Sequence, residues 1–211
     1  MNYAQLTAAL ISYTETTDQS FIDNIPTFVQ QAEERIYNSV NLLTLRKNVT
    51  GTMTSGNKYI TLPADWLATY SVARINPDNS QEFLLDKDVN YIRQVYPQPS
   101  DTGAPKFYAL FDAATLIVGP TPNDDYGVEL HYFYYPESIV TAGTSWLGEN
   151  FETALFYGSL REAYLFQKGE QDLIANVEQK YNESLALLKR LGDGLNRQDT
   201  YRDGQLRIPP T

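Results

Sequence analysis

Residues 106–136, KFYALFDAATLIVGPTPNDDYGVELHYFYYP, decide the fold class. Two apolar runs, 106–111 and 115–118, flank Asp112-Ala113-Ala114 and read as a β-hairpin. Gly119-Pro120-Thr121-Pro122-Asn123-Asp124-Asp125 is a long turn rich in residues that favour tight backbone. Residues 128–135 then alternate, with Val128, Leu130, Tyr132 and Tyr134 on one face and His131 with Phe133 on the other. Upstream, Ile60 and Leu62 precede a Pro63-Ala64-Asp65 turn, and Val72-Ala73-Arg74-Ile75 stops at Asn76-Pro77. Residues 86–95 read as a short helix capped by Asp86 and closed by Tyr96-Pro97. Short strands separated by turn signals predict a small antiparallel sheet or barrel over 48–145.

Outside this stretch the apolar period becomes helical. Tyr3, Leu6, Leu10 and Tyr13 follow Asn2, a good N-cap, and Thr16-Thr17-Asp18 breaks the run. A second stripe holds Phe21, Ile25, Phe28 or Val29, Ala32, Ile36 and Val40, with Ser20 and Asp23 resembling a capping box. Pro26 either kinks a helix that begins at Phe21 or sits in the first turn of one that begins at Asn24. Residues 147–168 are apolar nearly all round, as in a helix buried on several sides, and Gly169 suits the left-handed position past its end. The last stripe, Leu173 or Ile174, Val177, Tyr181, Leu185, Leu188 and Leu191, ends at Gly192-Asp193-Gly194. The expectation is an α+β chain. Helices from both ends, 1–47 and 146–193, form an antiparallel bundle, interrupted by a β insert at 48–145 and followed by an extended arm at 194–211.

Composition narrows the chemistry. The chain has 211 residues, a net charge of −10, one histidine and no cysteine. Thiol catalysis, disulfides and thiolate metal sites are excluded, as is any site needing two histidines. No apolar run reaches the length of a membrane span, and the N-terminus has neither the basic start nor the cleavage site of a secretory signal. The acid excess argues against gripping DNA through its phosphates. By segment, 1–47 carries −2, 48–145 −6, 146–193 −3 and 194–211 +1. Sixteen tyrosines, nine phenylalanines and two tryptophans suit β-structure or contact surface.

Motifs for chemistry fall short. Gly51 to Lys58 brushes against a phosphate-binding loop, but Asn57 separates Gly56 from Lys58 and Tyr59 follows, so a β-turn is the simpler reading. Asp86-Lys87-Asp88-Val89-Asn90 imitates a calcium loop, but Tyr91 and Pro97 occupy the Gly and Glu positions. Asp124-Asp125 are ordinary turn residues, and no nucleophile elbow accompanies His131. No catalytic residue, metal ligand or cofactor is assigned.

Four stretches, taken in order and spacing, resemble the head-to-tail adaptor (connector) proteins of tailed, especially short-tailed, bacteriophages. They are Ile25-Pro26-Thr27-Phe28-Val29-Gln30-Gln31-Ala32-Glu33-Glu34-Arg35-Ile36, similar to an Ala-Glu-x-Arg helix, and Ile60-Thr61-Leu62-Pro63-Ala64-Asp65-Trp66-Leu67, a strand closed by a Leu-Pro-x-Asp turn. The third is the hairpin and aromatic strand from Pro105 to Pro136, and the fourth is Trp146-Leu147 with the helix from Ala154 to Ala163. Gly119 before Pro120 departs from the pattern.

The resemblance implies a structural virion protein at the head–tail junction, made in the host cytoplasm. It implies a self-assembled ring, usually dodecameric, docked below the portal protein. That ring continues the DNA channel, lets genome DNA pass without specific binding and offers a platform to the tail nozzle or other tail proteins. It also implies an arm that binds the portal or a neighbour. The arm residues suited to this are Arg197, Tyr201, Arg202, Leu206, Arg207, Ile208, Pro209 and Pro210. Tyr132, Phe133, Tyr134 and Tyr135 are the candidate tail or subunit contacts, and the lumen-facing acids are not readable. The alternative reading is an aromatic-rich, tail-associated module that binds carbohydrate or a receptor.

Overall fold

A computed structural model describes residues 1–196 and shows the α+β class, with helices before and after a β insert in chain order. The chain divides into two compact units, Arg46–Tyr134 and a helical unit made of Met1–Leu45 with the chain from Tyr135 onward.

Helix α1 (Tyr3–Thr14) begins at Asn2, whose side-chain oxygen accepts from the Gln5 N–H at 2.9 Å while Gln5 accepts from the Asn2 N–H at 3.0 Å. Helix α2 (Gln19–Ser39) starts earlier than either sequence reading. Its cap is Asp18, which accepts from Ser20 N–H at 3.1 Å, so Ser20 and Asp23 do not form the expected box. Pro26 lies well inside this helix, where it removes one backbone donor. A 3₁₀ turn, Leu43–Leu45, ends this part of the chain.

The β unit contains β1 (Arg46–Met53), β2 (Tyr59–Thr61), β3 (Ala68–Ile75), β4 (Gln81–Phe83) and β5 (Leu85–Asp86). Helix α3 (Val89–Val95) follows, then β6 (Thr102–Gly103), β7 (Phe107–Asp112), β8 (Thr115–Gly119), β9 (Thr121–Pro122) and β10 (Tyr126–Phe133). One sheet runs β1-β10-β3-β4 and the other β2-β8-β7-β5. Most pairs are antiparallel; the short β5–β7 and β6–β9 pairs are parallel. Pairing with β7 draws Leu85 and Asp86 into a strand, so α3 is capped by Asp88 rather than Asp86, with Asp88 accepting from Asn90 N–H at 2.7 Å.

Alternation along β10 puts Tyr126, Val128, Leu130 and Tyr132 into the core with Met53, Leu62, Val72, Leu84, Tyr108, Leu116 and Val118. Both sheets supply this cluster, which gives the unit its sandwich-like interior. A smaller cluster of Ile92, Ala109 and Ile117 lies where α3 covers β7 and β8.

The chain returns to helices with α4 (Ile139–Ala142), α5 (Trp146–Asn150), α6 (Glu152–Phe166) and α7 (Gln171–Asn196). The apolar run read as one helix is two, broken at Phe151, whose backbone (φ −137°, ψ 48°) is not helical. Helix α6 packs against α1, α2 and α7, which explains why it is apolar nearly all round. The left-handed residue after it is Lys168 (φ 56°), not Gly169. Helix α7 runs through Gly192 instead of ending there. A Cβ at that position would stand 2.8 Å from the Asn41 carbonyl oxygen, so the glycine serves close packing. The expected arm residues Arg197, Tyr201, Arg202, Leu206, Arg207, Ile208, Pro209 and Pro210 lie outside the described residues.

Candidate interaction surfaces

The four consecutive aromatics of the β10 end have different surroundings. Tyr132 is a core residue, 1 % exposed, and its hydroxyl donates to Asp65 Oδ1 at 2.9 Å. Burial, and then the Asp65 carboxylate, push its phenol above the usual range. Asp65 also accepts from Lys47 Nζ at 2.8 Å. The Lys47 and Tyr132 hydrogen bonds hold its carboxyl below the usual range, and Asp65 in turn raises Lys47. The Pro63-Ala64-Asp65 turn is thereby tied to β1 and β10.

Phe133 faces the other side of the sheet, edge-on to Tyr70 with centroids 5.9 Å apart. The Arg46 guanidinium stands 4.2 Å from the Tyr70 centroid and 5.4 Å from that of Phe133. On the same face Glu129 accepts from Asn48 at 2.6 Å and Gln81 at 2.5 Å, with His131 Nε2 at 3.5 Å. Tyr134 is half-buried beside Tyr132, under Lys47 Nζ at 5.1 Å. Tyr135 belongs to the helical unit, stacked on Tyr37 and donating to Asn38 Oδ1 at 2.6 Å.

A second aromatic surface lies beside α3. Tyr59 and Phe111 are exposed, with ring centroids 5.1 Å apart and planes 56° apart, and Arg93 stands 5.4 Å from the Phe111 ring. Exposed Tyr91 meets Phe107 edge-on and lies under Lys87 Nζ at 5.3 Å. Each such cation–ring contact contributes on the order of 0.5–1 kcal/mol at an exposed site. These rings are mutually tilted and do not make a flat stacking platform. Phe107 and Phe111 fall at alternate positions of β7, so their common face was readable; Arg93 comes from α3, and only the folded chain brings it to them.

In the helical unit the Ala32-Glu33-Glu34-Arg35 segment does structural work. Ala32 and Glu33 are buried, and Glu33 Oε1 accepts from the Ile139 N–H at 3.0 Å, satisfying a free donor at the start of α4. Burial pushes the Glu33 carboxyl above its usual range, against the lowering effect of hydrogen bonds from Ser138 and Ile139. Arg35 pairs with Glu162 of α6 at 2.8 Å; Glu162 also meets Arg161 at 2.9 Å, and Arg161 meets Glu178 of α7 at 2.7 Å. This chain of charges joins α2, α6 and α7.

The family model of the SU10 adaptor proteins matches residues 1–208. The chain belongs to the SU10 adaptor protein family. Among curated proteins, none matches it. The chain is thus a phage adaptor, a component of the virion that meets portal and tail proteins.

In the adaptor, the near-motifs of the sequence have local duties. Gly56 holds a left-handed turn between β1 and β2, and its N–H donates to the Pro122 carbonyl at 2.8 Å. Asp125 accepts from the Ser55 N–H at 2.8 Å and Asp124 from the Asp125 N–H at 2.8 Å. Among the described residues no group of three or more His, Asp or Glu side chains is placed to hold a metal, and no helix is long and apolar enough to cross a membrane.

Proposed function

We propose that the adaptor forms a closed homo-oligomeric ring, dodecameric, below the phage portal, where it extends the DNA channel and presents the docking platform for the tail. The observation that carries this reading is the family match across residues 1–208, which includes both units. The role is structural and non-enzymatic. The acidic balance, −10 over the chain, suits a channel that DNA must traverse without sticking.

Portal or neighbour binding falls to the C-terminal arm through Arg197, Arg202 and Arg207, which can form bidentate pairs with carboxylates. Tyr201, Leu206 and Ile208 supply apolar anchors, and Pro209 and Pro210 keep the end extended. Phe133, Tyr134 and Tyr135 are proposed tail or subunit contacts, with Tyr132 supporting them from the core.

Deleting residues 197–211 tests the reading. The truncated adaptor is expected to keep its far-ultraviolet circular dichroism but to lose co-sedimentation with purified portal. Full-length protein is expected to give rings on portals by electron microscopy. Undiminished portal binding together with undiminished ring formation by the truncated chain would refute the arm assignment, and full-length protein that stays monomeric beside portal would refute the ring.

A further inference from the structure

The β unit is closed on one side and open on the other. At Leu84 the chain passes from β4 directly into β5, the Leu84 N–H bonding to Val72 and the Leu85 N–H to Lys106 across 2.8 and 2.9 Å. That joins the two sheets covalently. At the opposite edges, among the described residues, β1 pairs only with β10 and β2 only with β8. A cleft of about 440 Å³ lies there, between Val49 and Gly51 on one edge and Ile60 and Leu62 on the other, with Leu116 and Val128 at its apolar floor.

Val49 marks the cleft as unfilled. It stands opposite Leu130 in the β1–β10 register, so its side chain faces the core side of the sheet. Yet Val49 is 39 % exposed while Leu130 is 6 % exposed. Two strand edges over an apolar floor form a template for an added strand: main-chain bonds give affinity and alternate side chains fill the floor.

We propose that in the assembled ring this cleft is filled by residues 204–210 of a neighbouring copy, added as a strand between β1 and β2. The inference rests on the ring reading given under Proposed function. The segment Gly204-Gln205-Leu206-Arg207-Ile208-Pro209-Pro210 alternates as the site requires, with Leu206 and Ile208 on one face and Gln205 and Arg207 on the other. The two prolines, which lack backbone donors, end the pairing. Residues 197–211 extend to roughly 50 Å, and a five-residue strand uses about 17 Å of that, which leaves roughly 30 Å of chain as a connection long enough to reach a neighbouring copy. The segment 194–211 carries +1 in a chain of net −10, so it is attracted to a copy of the same body. Each copy has one cleft and one segment, and head-to-tail exchange around a closed ring leaves neither unmatched.

The absence of cysteine from the chain makes the test clean. Virions are assembled with the double variant Val49→Cys/Leu206→Cys, treated with a mild oxidant and run on non-reducing gels. The expected result is a ladder in steps of the 23.9 kDa chain that collapses on reduction. The single variants, and the pair Leu187→Cys/Leu206→Cys with its thiol on an exposed position of α7, are expected to give no ladder. Incorporated adaptor that keeps two free thiols overturns the proposal, and a cross-link within one chain overturns its assignment to a neighbour. Either result leaves the ring reading standing, because the adaptor is still at the junction. Virions with no adaptor at the head–tail junction would refute that reading itself.

Discussion

Replacing Glu33 separates two effects of one buried carboxylate. Glu33→Ala removes the acceptor for the Ile139 N–H and leaves that donor without its partner at the start of α4. An orphaned buried donor costs about 1–3 kcal/mol, and the lost methylene adds about 0.8 kcal/mol. The expected destabilisation is therefore roughly 2–4 kcal/mol, or about 4–15 °C in Tm for a chain of this size. Glu33→Gln keeps the acceptor and removes the buried charge, so at about pH 7 it is expected to equal or exceed wild type. The pH dependence provides an internal check. The folded-state pKa lies above the unfolded value of 4.5, so the folded protein holds the extra proton between those two values. Stability from this group thus rises as pH falls through the folded pKa, is complete below 4.5, and is absent in Glu33→Gln. Urea unfolding followed by far-ultraviolet circular dichroism, which reports the helical unit, measures all three proteins at several pH values. Glu33→Gln as unstable as Glu33→Ala, or Glu33→Ala within about 0.5 kcal/mol of wild type, would refute the reasoning.

Three other outcomes are expected. Asp65→Asn should flatten the acid limb of the unfolding curve. The lowered Asp65 pKa contributes stability that is full above 3.8 and lost as pH falls through the folded value, which thermal melts between about pH 2 and 5 would detect. Gly119→Ala places a Cβ 2.8 Å from Ile92 Cγ2 and 2.9 Å from Tyr96 Cδ2. It should cost about 1–3 kcal/mol, read as a lower urea midpoint. Arg35→Ala and Arg161→Ala share Glu162, so a double-mutant cycle should show coupling of about 0.5–3 kcal/mol, whereas additive effects would mean the charges act separately.

The parts of the fold that were legible in the sequence are those set by local rules. Alternation from Val128 to Tyr132 named the buried face of β10, and Asn2 named the cap of α1, because both depend on neighbours within a few residues. β1 was not legible: residues 47–52 are all exposed, so an edge strand with no buried alternation carries no period-two signal. Leu85 and Asp86 became strand through pairing with Phe107 and Tyr108, a contact about twenty residues away that no window sees. Gly192 carries the residue type of a helix end but serves a close approach to Asn41, and sequence does not distinguish those uses. Among the candidate contacts, the aromatic character of the β10 end was plain. The burial of Tyr132, the bond from Tyr135 to Asn38 and the Arg93–Phe111 pair depend on tertiary placement.

Arg46 and Phe133 are partners in the β1–β10 ladder, so the backbone enters and leaves the β unit on adjacent strands. Adjacent strands are only about 5 Å apart. The two ends of Arg46–Tyr134 are thus neighbours, and a tight turn could bridge its removal. A shorter or a longer unit can stand between those two neighbouring ends without changing the span that the connection must cover.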